Sequence, residues 1–239
     1  MTFPEARQEK VMNNRLAEEK VLVTQSDDYM GPGVEALFQN EGAKVTAIPG
    51  VVPTGDKFND YVSAAGGPFD IVIANLAHAP CNGPTANIDN NDWRGMFDTM
   101  VEPLMCLIRH YAPIMASAGQ GKIVAITSAA PLRGIPGSTA YCSARGAQNA
   151  FVRASGLEFA ATNVQINAVA QNYVSNPVYF PEELVSTEKF QNHLKRNVPR
   201  GRVAKTSESA ELALFLASDK SDFIVGQVIP FSGGWATNT

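Results

Sequence analysis

Short apolar runs recur along this chain, separated by stretches whose apolar positions repeat with a helical period. Lys20 to Thr24 (KVLVT), Lys44 to Ile48 (KVTAI), Phe69 to Asn75 (FDIVIAN), residues 122–127, Gln165 to Val169 and Gly226 to Phe231 are such runs. Continuous rather than alternating hydrophobicity predicts strands buried on both faces, as in a parallel sheet. Helices are expected between them. One carries Val34, Leu37 and Phe38 on a single face and stops near Asn40 to Gly42, with Gly42 as a C-cap. Others are predicted over Phe58 to Ala65, Asp92 to about Ser117, Tyr141 to about Thr162 and Glu208 to Ala217. The first strand–helix–strand unit closes within about 30 residues, a length that suits one right-handed crossover. Strands alternating with helices throughout predict an α/β fold, a doubly wound parallel sheet between two helical layers.

The 239 residues, 45% of them hydrophobic, fit one domain. Residues 1–17 are polar and charged and read as an N-terminal arm, mobile or forming a short extra helix; residues 18–239 form the catalytic domain. A long aromatic-rich excursion, Gln171 to Arg202, interrupts the alternation. A net charge of −4 argues against nucleic acid or an anionic membrane as a main partner. No apolar run approaches the roughly 20 residues of a membrane span, and the N-terminus lacks a signal-peptide core. The three cysteines, Cys81, Cys106 and Cys142, show no metal-ligand or CxxC spacing and read as reduced thiols of a cytoplasmic protein. His78, His110 and His193 are scattered, and no metal site is expected.

Ligands of an open α/β sheet gather at the carboxyl ends of the strands. Ser128 lies at that edge, as do the loops after Thr24, Asn75 and Val169. Tyr141 follows Ser128 by thirteen residues, and Arg145 lies one helical turn further on the same face. A phenol is a poor base near neutral pH unless a cation stabilises its anion. Arginine supplies a fixed charge and relays no proton. Ser128 can hold a substrate oxygen beside Tyr141. Singly, these are a turn serine, a packed aromatic and a solvated helix charge; their joint spacing is what points to an acid–base site.

Ser128 with Tyr141-x-x-x-Arg145, the late Asp222-Phe223-Ile224-Val225-Gly226-Gln227 and the terminal Gly233-Gly234 resemble the short-chain dehydrogenase/reductase superfamily, from Val21 to Gly234. That resemblance implies a Rossmann-like three-layer sandwich in a single domain. The departures are informative. Arg145 replaces the superfamily lysine. The first loop, Thr24 to Gly33, offers two acids, a Tyr and Pro32 where glycines should cradle pyrophosphate. The second strand ends Ala47-Ile48-Pro49-Gly50, without an acid for a ribose or a base for a 2′-phosphate. Ala74-Asn75-Leu76-Ala77 replaces Asn-Asn-Ala-Gly, Met100 replaces the helix asparagine, and Gln171-Asn172-Tyr173-Val174 replaces the usual Pro-Gly.

This combination is similar to the halohydrin dehalogenases, cofactor-free members of the superfamily. The likeness implies a Ser128–Tyr141–Arg145 catalytic triad and no cofactor. It implies a halide site built by Tyr29, Gln171, Asn172, Tyr173 and Val174, with backbone amides of the 171–174 turn aimed at the ion. Some members carry an Asp after the central-strand Asn; here it is Leu76, so Arg145 needs another partner. Ala130, Ile135 and Ser138 are candidates for contacting substrate. Tyr173, Tyr179 and Phe180 form a wall over it or pack the excursion down. The implied partners are a haloalcohol or epoxide and a halide ion, and the implied assembly is a homotetramer, a dimer of dimers. Two other readings stay open: a nicotinamide-dependent reductase with an unusual loop, and a non-enzymatic ligand-binding descendant of the fold.

Overall fold

The computed structural model describes residues 14–79 and 81–237. Strands β1 (Lys20–Thr24), β2 (Lys44–Ile48), β3 (Ile71–Asn75), β4 (Gly121–Ser128), β5 (Val164–Gln171) and β6 (Val228–Phe231) form one sheet. Its order is β2-β1-β3-β4-β5-β6, and every pairing is parallel. The chain steps outward from β1 to β2 and then returns to β1's other side as β3, which sets the topological switch point between β1 and β3. The doubly wound expectation is met.

The continuous apolar runs have their reason in the two layers. Leu22, Val72, Ile123 and Ile166 face a core with α2 (Asp56–Ala65), α4 (Glu102–Ala118) and α6 (Thr139–Phe159). Their neighbours Val21, Val23, Ile73, Val124 and Val169 face the opposite core, with α1 (Gly31–Asn40) and α9 (Thr206–Ala217). Alternate residues of β3, β4 and β5 are buried on opposite sides, so both sets are largely apolar.

Three segments depart from the expectation. The helix predicted from Asp92 to Ser117 is three pieces: α3 (Asn90–Met96), a π-helical turn (Phe97–Val101) and α4. Pro103 stands at the start of α4. It has no N–H, and its ring crowds the carbonyl four residues back, so a widened turn there relieves the clash. The predicted arm is partly built into the domain. Leu16 is buried in the α1–α9 core, and Arg15 bridges Glu41 at 2.7 Å and Glu211 at 2.8 Å. Residues 1–13 lie outside the described ones. The excursion holds α7 (Glu182–Val185) and α8 (Glu188–Asn197). They pack down through a small cluster of Ala129, Tyr173, Leu194, Val198 and Trp235. Between Ser128 and α6 lies the short α5 (Ala130–Arg133). Among the described residues no helix is long and apolar enough to cross a membrane. Nor do three His, Cys, Asp or Glu side chains there gather to hold a metal.

Helix α6 carries the candidate Tyr and Arg, and Gly156 sets its distance from the sheet. A Cβ there would lie 2.5 Å from the Cα of Gly226 and 2.8 Å from the Ile166 carbonyl oxygen. Those neighbours are backbone and cannot rotate aside. Alanine normally favours a helix over glycine by about 1 kcal/mol, but overpacking against the backbone costs about 1–3 kcal/mol. Gly156→Ala is therefore expected to lower the midpoint of urea unfolding, and an unchanged or raised midpoint would show that α6 is not held at this distance.

Candidate active site

A cavity of about 310 Å³ opens at the carboxyl edge of the sheet, beside the switch point. Ser128, the last residue of β4, reaches it with its hydroxyl fixed: Oγ accepts from the Ala130 amide at 3.0 Å. Its carbonyl accepts from Asn149 Nδ2 of α6 at 3.1 Å, tying strand to helix. Tyr141 enters the cavity from the first turn of α6. Arg145, one turn on, is fully buried behind it. Its Nε donates to Tyr141 Oη at 3.2 Å. Its Nη1 donates to the Ile126 carbonyl at 3.2 Å and to Gln148 Oε1 at 2.9 Å. Nη2 is buried without a partner.

Aromatic rings complete the surroundings of this cation. The guanidinium carbon lies 5.5 Å from the ring centre of Tyr29 and 5.4 Å from that of Tyr141, both within cation–π range. Tyr179 packs on both phenols, its ring centre 5.4 Å from Tyr29's and 5.5 Å from Tyr141's. Its hydroxyl donates to the His78 carbonyl at 2.7 Å. Burial works against the charge on Arg145. The phenol oxygens of Tyr141, Tyr179 and Tyr29 outweigh it, so the guanidinium is held above even its ordinary range. Burial pushes the Tyr29 and Tyr179 phenols up, with Arg145 pulling each back in part. Both stay neutral at physiological pH. The Arg145 partner left open by Leu76 is the amide of Gln148.

Of the residues singled out in the sequence, Tyr29, Ser128, Ala130, Ile135 and Ser138 line the cavity. So do Tyr141, Gln171, Asn172 and Val174. Tyr173 does not. Its ring turns into the cluster with Phe180, Phe190 and Trp235, and its hydroxyl sits 2.9 Å from His193 Nε2. Two of the amides expected in the nest are engaged elsewhere. The Asn172 amide donates to the Phe231 carbonyl and the Tyr173 amide to Asn172 Oδ1. Gln171 Oε1 accepts from Ser209 Oγ at 2.6 Å. With Gln171 Oε1 engaged by Ser209, its side chain also bonded to the Tyr29 phenol, and Asn172 Oδ1 engaged by the Tyr173 amide, Asn172 Nδ2 is the side-chain donor this turn has left for a ligand.

Asn82, Asn176 and Leu184 also line the cavity and were not anticipated; Tyr179 and Phe180 belong to the wall. Asn176 shapes rather than binds. Its Oδ1 accepts from the amides of Val178 and Tyr179, and its Nδ2 donates to the Val174 carbonyl. The sequence signal for this was an Asn-Pro turn, Asn176-Pro177, which folds Tyr179 back over Tyr141.

The first loop answers whether the residues present fit a dinucleotide. They do not. A pyrophosphate site needs free amides at the turn and the helix start. Here the amide of Ser26 donates to Ile48, that of Asp28 to Gln25 and that of Gly31 to Asp28. The amide of Tyr29 goes to Asp28 Oδ1 and that of Met30 to Asn75 Oδ1. Asn75 Nδ2 closes the loop from below by donating to the carbonyls of Gln25 and Asp28. Asp27 reaches the end of β2, accepting from the Gly50 amide at 2.8 Å. Gly31 is required by the turn itself, since a Cβ would meet the Ser26 backbone at 2.5 Å. Tyr29 is pushed inward at φ +52°, its hydroxyl donating to the Thr127 carbonyl at 3.3 Å.

Known proteins place the chain. The family described as enoyl-(acyl carrier protein) reductase matches residues 17–236. The 3-oxoacyl-[acyl-carrier-protein] reductase FabG of Chlamydia muridarum is 29% identical, across 94% of this chain and 100% of that protein. Gluconate 5-dehydrogenase of Gluconobacter oxydans is 31% identical over 82% of this chain and 77% of its own. Among solved structures, one described as a dehalogenation enzyme superposes with a TM-score of 0.83 at 30% identity, covering 92% of this chain and 99% of that one. The halohydrin dehalogenase HheC, bound to ethyl (2S)-oxiran-2-ylacetate, also gives 0.83, at 23% identity over 92% and 98% of the two chains, a likeness of fold. With its parallel sheet, its Ser128–Tyr141–Arg145 geometry and a family match over nearly its whole length, the chain belongs to the short-chain dehydrogenase/reductase family.

Proposed function

We propose that this protein is a halohydrin dehalogenase, a carbon–halide lyase acting on vicinal haloalcohols without a nicotinamide cofactor. The observation that carries this reading is the first loop. Its amides are spent internally, and its Tyr29 fills the space between Arg145 and the cavity. The 30% identity to a protein described as a dehalogenation enzyme supports it. The reductase names of the sequence relatives favour the second reading, an NAD(P)-dependent reductase. That reading requires the loop to rebuild its amide cradle. Quenching of tryptophan fluorescence by NADH or NADPH would favour it.

In the proposed reaction Ser128 holds the substrate hydroxyl, and Tyr141, as its anion, takes the proton. The alkoxide attacks the neighbouring carbon in line; the carbon–halogen bond breaks and the halide leaves with the electron pair. An epoxide, a halide ion and a protonated Tyr141 result. Arg145, donating to the Tyr141 oxygen, meets the negative charge on that oxygen with a fixed positive one, in an interior where charge is weakly screened. The Asn172 side-chain nitrogen and the Val174 amide, with the edges of the surrounding rings, receive the halide. In reverse, azide, cyanide or nitrite opens an epoxide while Tyr141 returns the proton. Exposed Trp93, Ile114, Leu157, Phe215 and Phe223 are consistent with the proposed homotetramer.

Pure protein incubated with a vicinal chloropropanol at mildly alkaline pH, with no nucleotide added, is expected to release chloride. Tyr141→Phe should cut the rate by about 10²–10⁴-fold while leaving the circular dichroism spectrum unchanged. Silence across several halohydrins would end the proposal. Tyr173→Phe tests the corrected halide site, because its hydroxyl serves His193 outside the cavity. Halide release should stay within about twofold of the parent, while losing the buried hydroxyl's bond to His193 is expected to cost about 0.5–1.5 kcal/mol of stability. A large rise in the halide inhibition constant would instead return Tyr173 to the site.

A further inference from the structure

A buried guanidinium ordinarily faces a carboxylate, since an unpaired charge taken out of water costs several kcal/mol. Arg145 is fully buried and, among the described residues, has no carboxylate partner. Tyr29 faces it from the loop after β1, Tyr179 from the excursion, and Tyr141 and Gln148 from its own helix. Strand β4 contributes only the Ile126 carbonyl. None of these groups is negative in its neutral form.

Gln148 is the partner whose placement is determined at both ends. Its Oε1 accepts from Arg145 Nη1 at 2.9 Å, and its Nε2 donates to the Met100 carbonyl at 2.7 Å. Reversing the amide would set donor against donor and acceptor against acceptor, so its orientation is fixed. Met100 lies in the π-helical turn Phe97–Val101, just before Pro103. The irregularity in that helix is thereby coupled to the catalytic cation through one buried amide.

We propose that Gln148 is a positioning residue of this site: it anchors Arg145 to the widened turn through a neutral amide, holding the guanidinium against Tyr141 without drawing off its charge. The inference rests on the reading of Tyr141 as proton acceptor. A carboxylate in the same place would keep a bond to Arg145 and neutralise it while giving up the donor to the Met100 carbonyl, and a thioether would keep neither bond and leave the charge. The two substitutions therefore separate charge from geometry.

Gln148→Glu is expected to move the acid limb of the kcat/KM profile to higher pH by about 1 unit or more. Gln148→Met should lower kcat by roughly ten- to a hundredfold with little change in KM. A second readout needs no halohydrin turnover. In an ultraviolet titration of tyrosinate, one phenol of Gln148→Glu should ionise at higher pH than in the parent, and the difference should vanish when Tyr141→Phe is added. A folded Gln148→Glu with the parent's tyrosinate titration overturns the proposal. So does Gln148→Met with the parent's kcat, should the Glu variant fail to fold. Where the parent itself releases no halide, the reaction assignment fails and the titration still decides the role of Gln148.

Discussion

A positive charge that cannot leave the interior is the constraint around which this site is arranged. Arg145 is fully buried, always ionised and, among the described residues, without a carboxylate partner. What makes it tolerable is a set of partial charges: two acceptor oxygens, the Tyr141 hydroxyl and the faces of two phenol rings. Each of these requires a separate part of the chain to be in place. The Ile126 carbonyl needs β4 in register, the Tyr29 face needs the first loop turned inward, and the Gln148 amide needs the widened turn at Phe97–Val101. The cation is thus a reason for the local fold as much as a product of it. Every partner is polarisable or neutral, so the charge remains available to an anion formed on Tyr141.

The loop after β1 follows the same logic in reverse. A dinucleotide loop keeps its amides unspent so that phosphate oxygens can take them. This loop spends them on itself, with Asn75 as the central clasp. Gln25 and Tyr29 both sit at positive φ, a conformation that costs a residue with a Cβ about 1 kcal/mol. The strain is met by the Tyr29 ring, which exchanges solvent for the guanidinium face. A loop so committed would have to lose several hydrogen bonds at once to receive a pyrophosphate.

Much of this was legible in the sequence, for physical reasons. Strands buried on both faces must read as continuous apolar runs, so the sheet announced itself to within one or two residues at most ends. Ser128, Tyr141 and Arg145 were legible because strand end and helix turn fix where those side chains point. The direction of loop side chains is not encoded in spacing. Tyr173 was therefore placed in the cavity, whereas at φ +54° it turns into the Trp235 cluster. Asn82 and Leu184 went unnoticed for the same reason. The break at Pro103 was readable from the missing N–H alone, but hydrophobic period over Met96, Met100 and Leu104 concealed it. Gln148 gave no local signal. A glutamine in a helix reads as solvent-facing until the cation beside it is seen to be buried.

The wall of the cavity bears on what it can hold. Several of its polar groups are committed: Tyr179 to His78 and both ends of Asn176 to the excursion's own backbone. Those left for a ligand include the Ser128 hydroxyl proton, the side-chain nitrogens of Asn82 and Asn172 and the oxygen of Tyr141. A ligand rich in hydrogen-bonding groups, such as a nucleotide or sugar, would leave many of them unmatched on burial, at roughly 1–3 kcal/mol each. A compact molecule with one hydroxyl, a short carbon skeleton and a weakly hydrated leaving anion leaves none. Most of the groups left for a ligand lie at the ends of β4 and β5 and the start of α6, the edge where an open parallel sheet gathers its ligands.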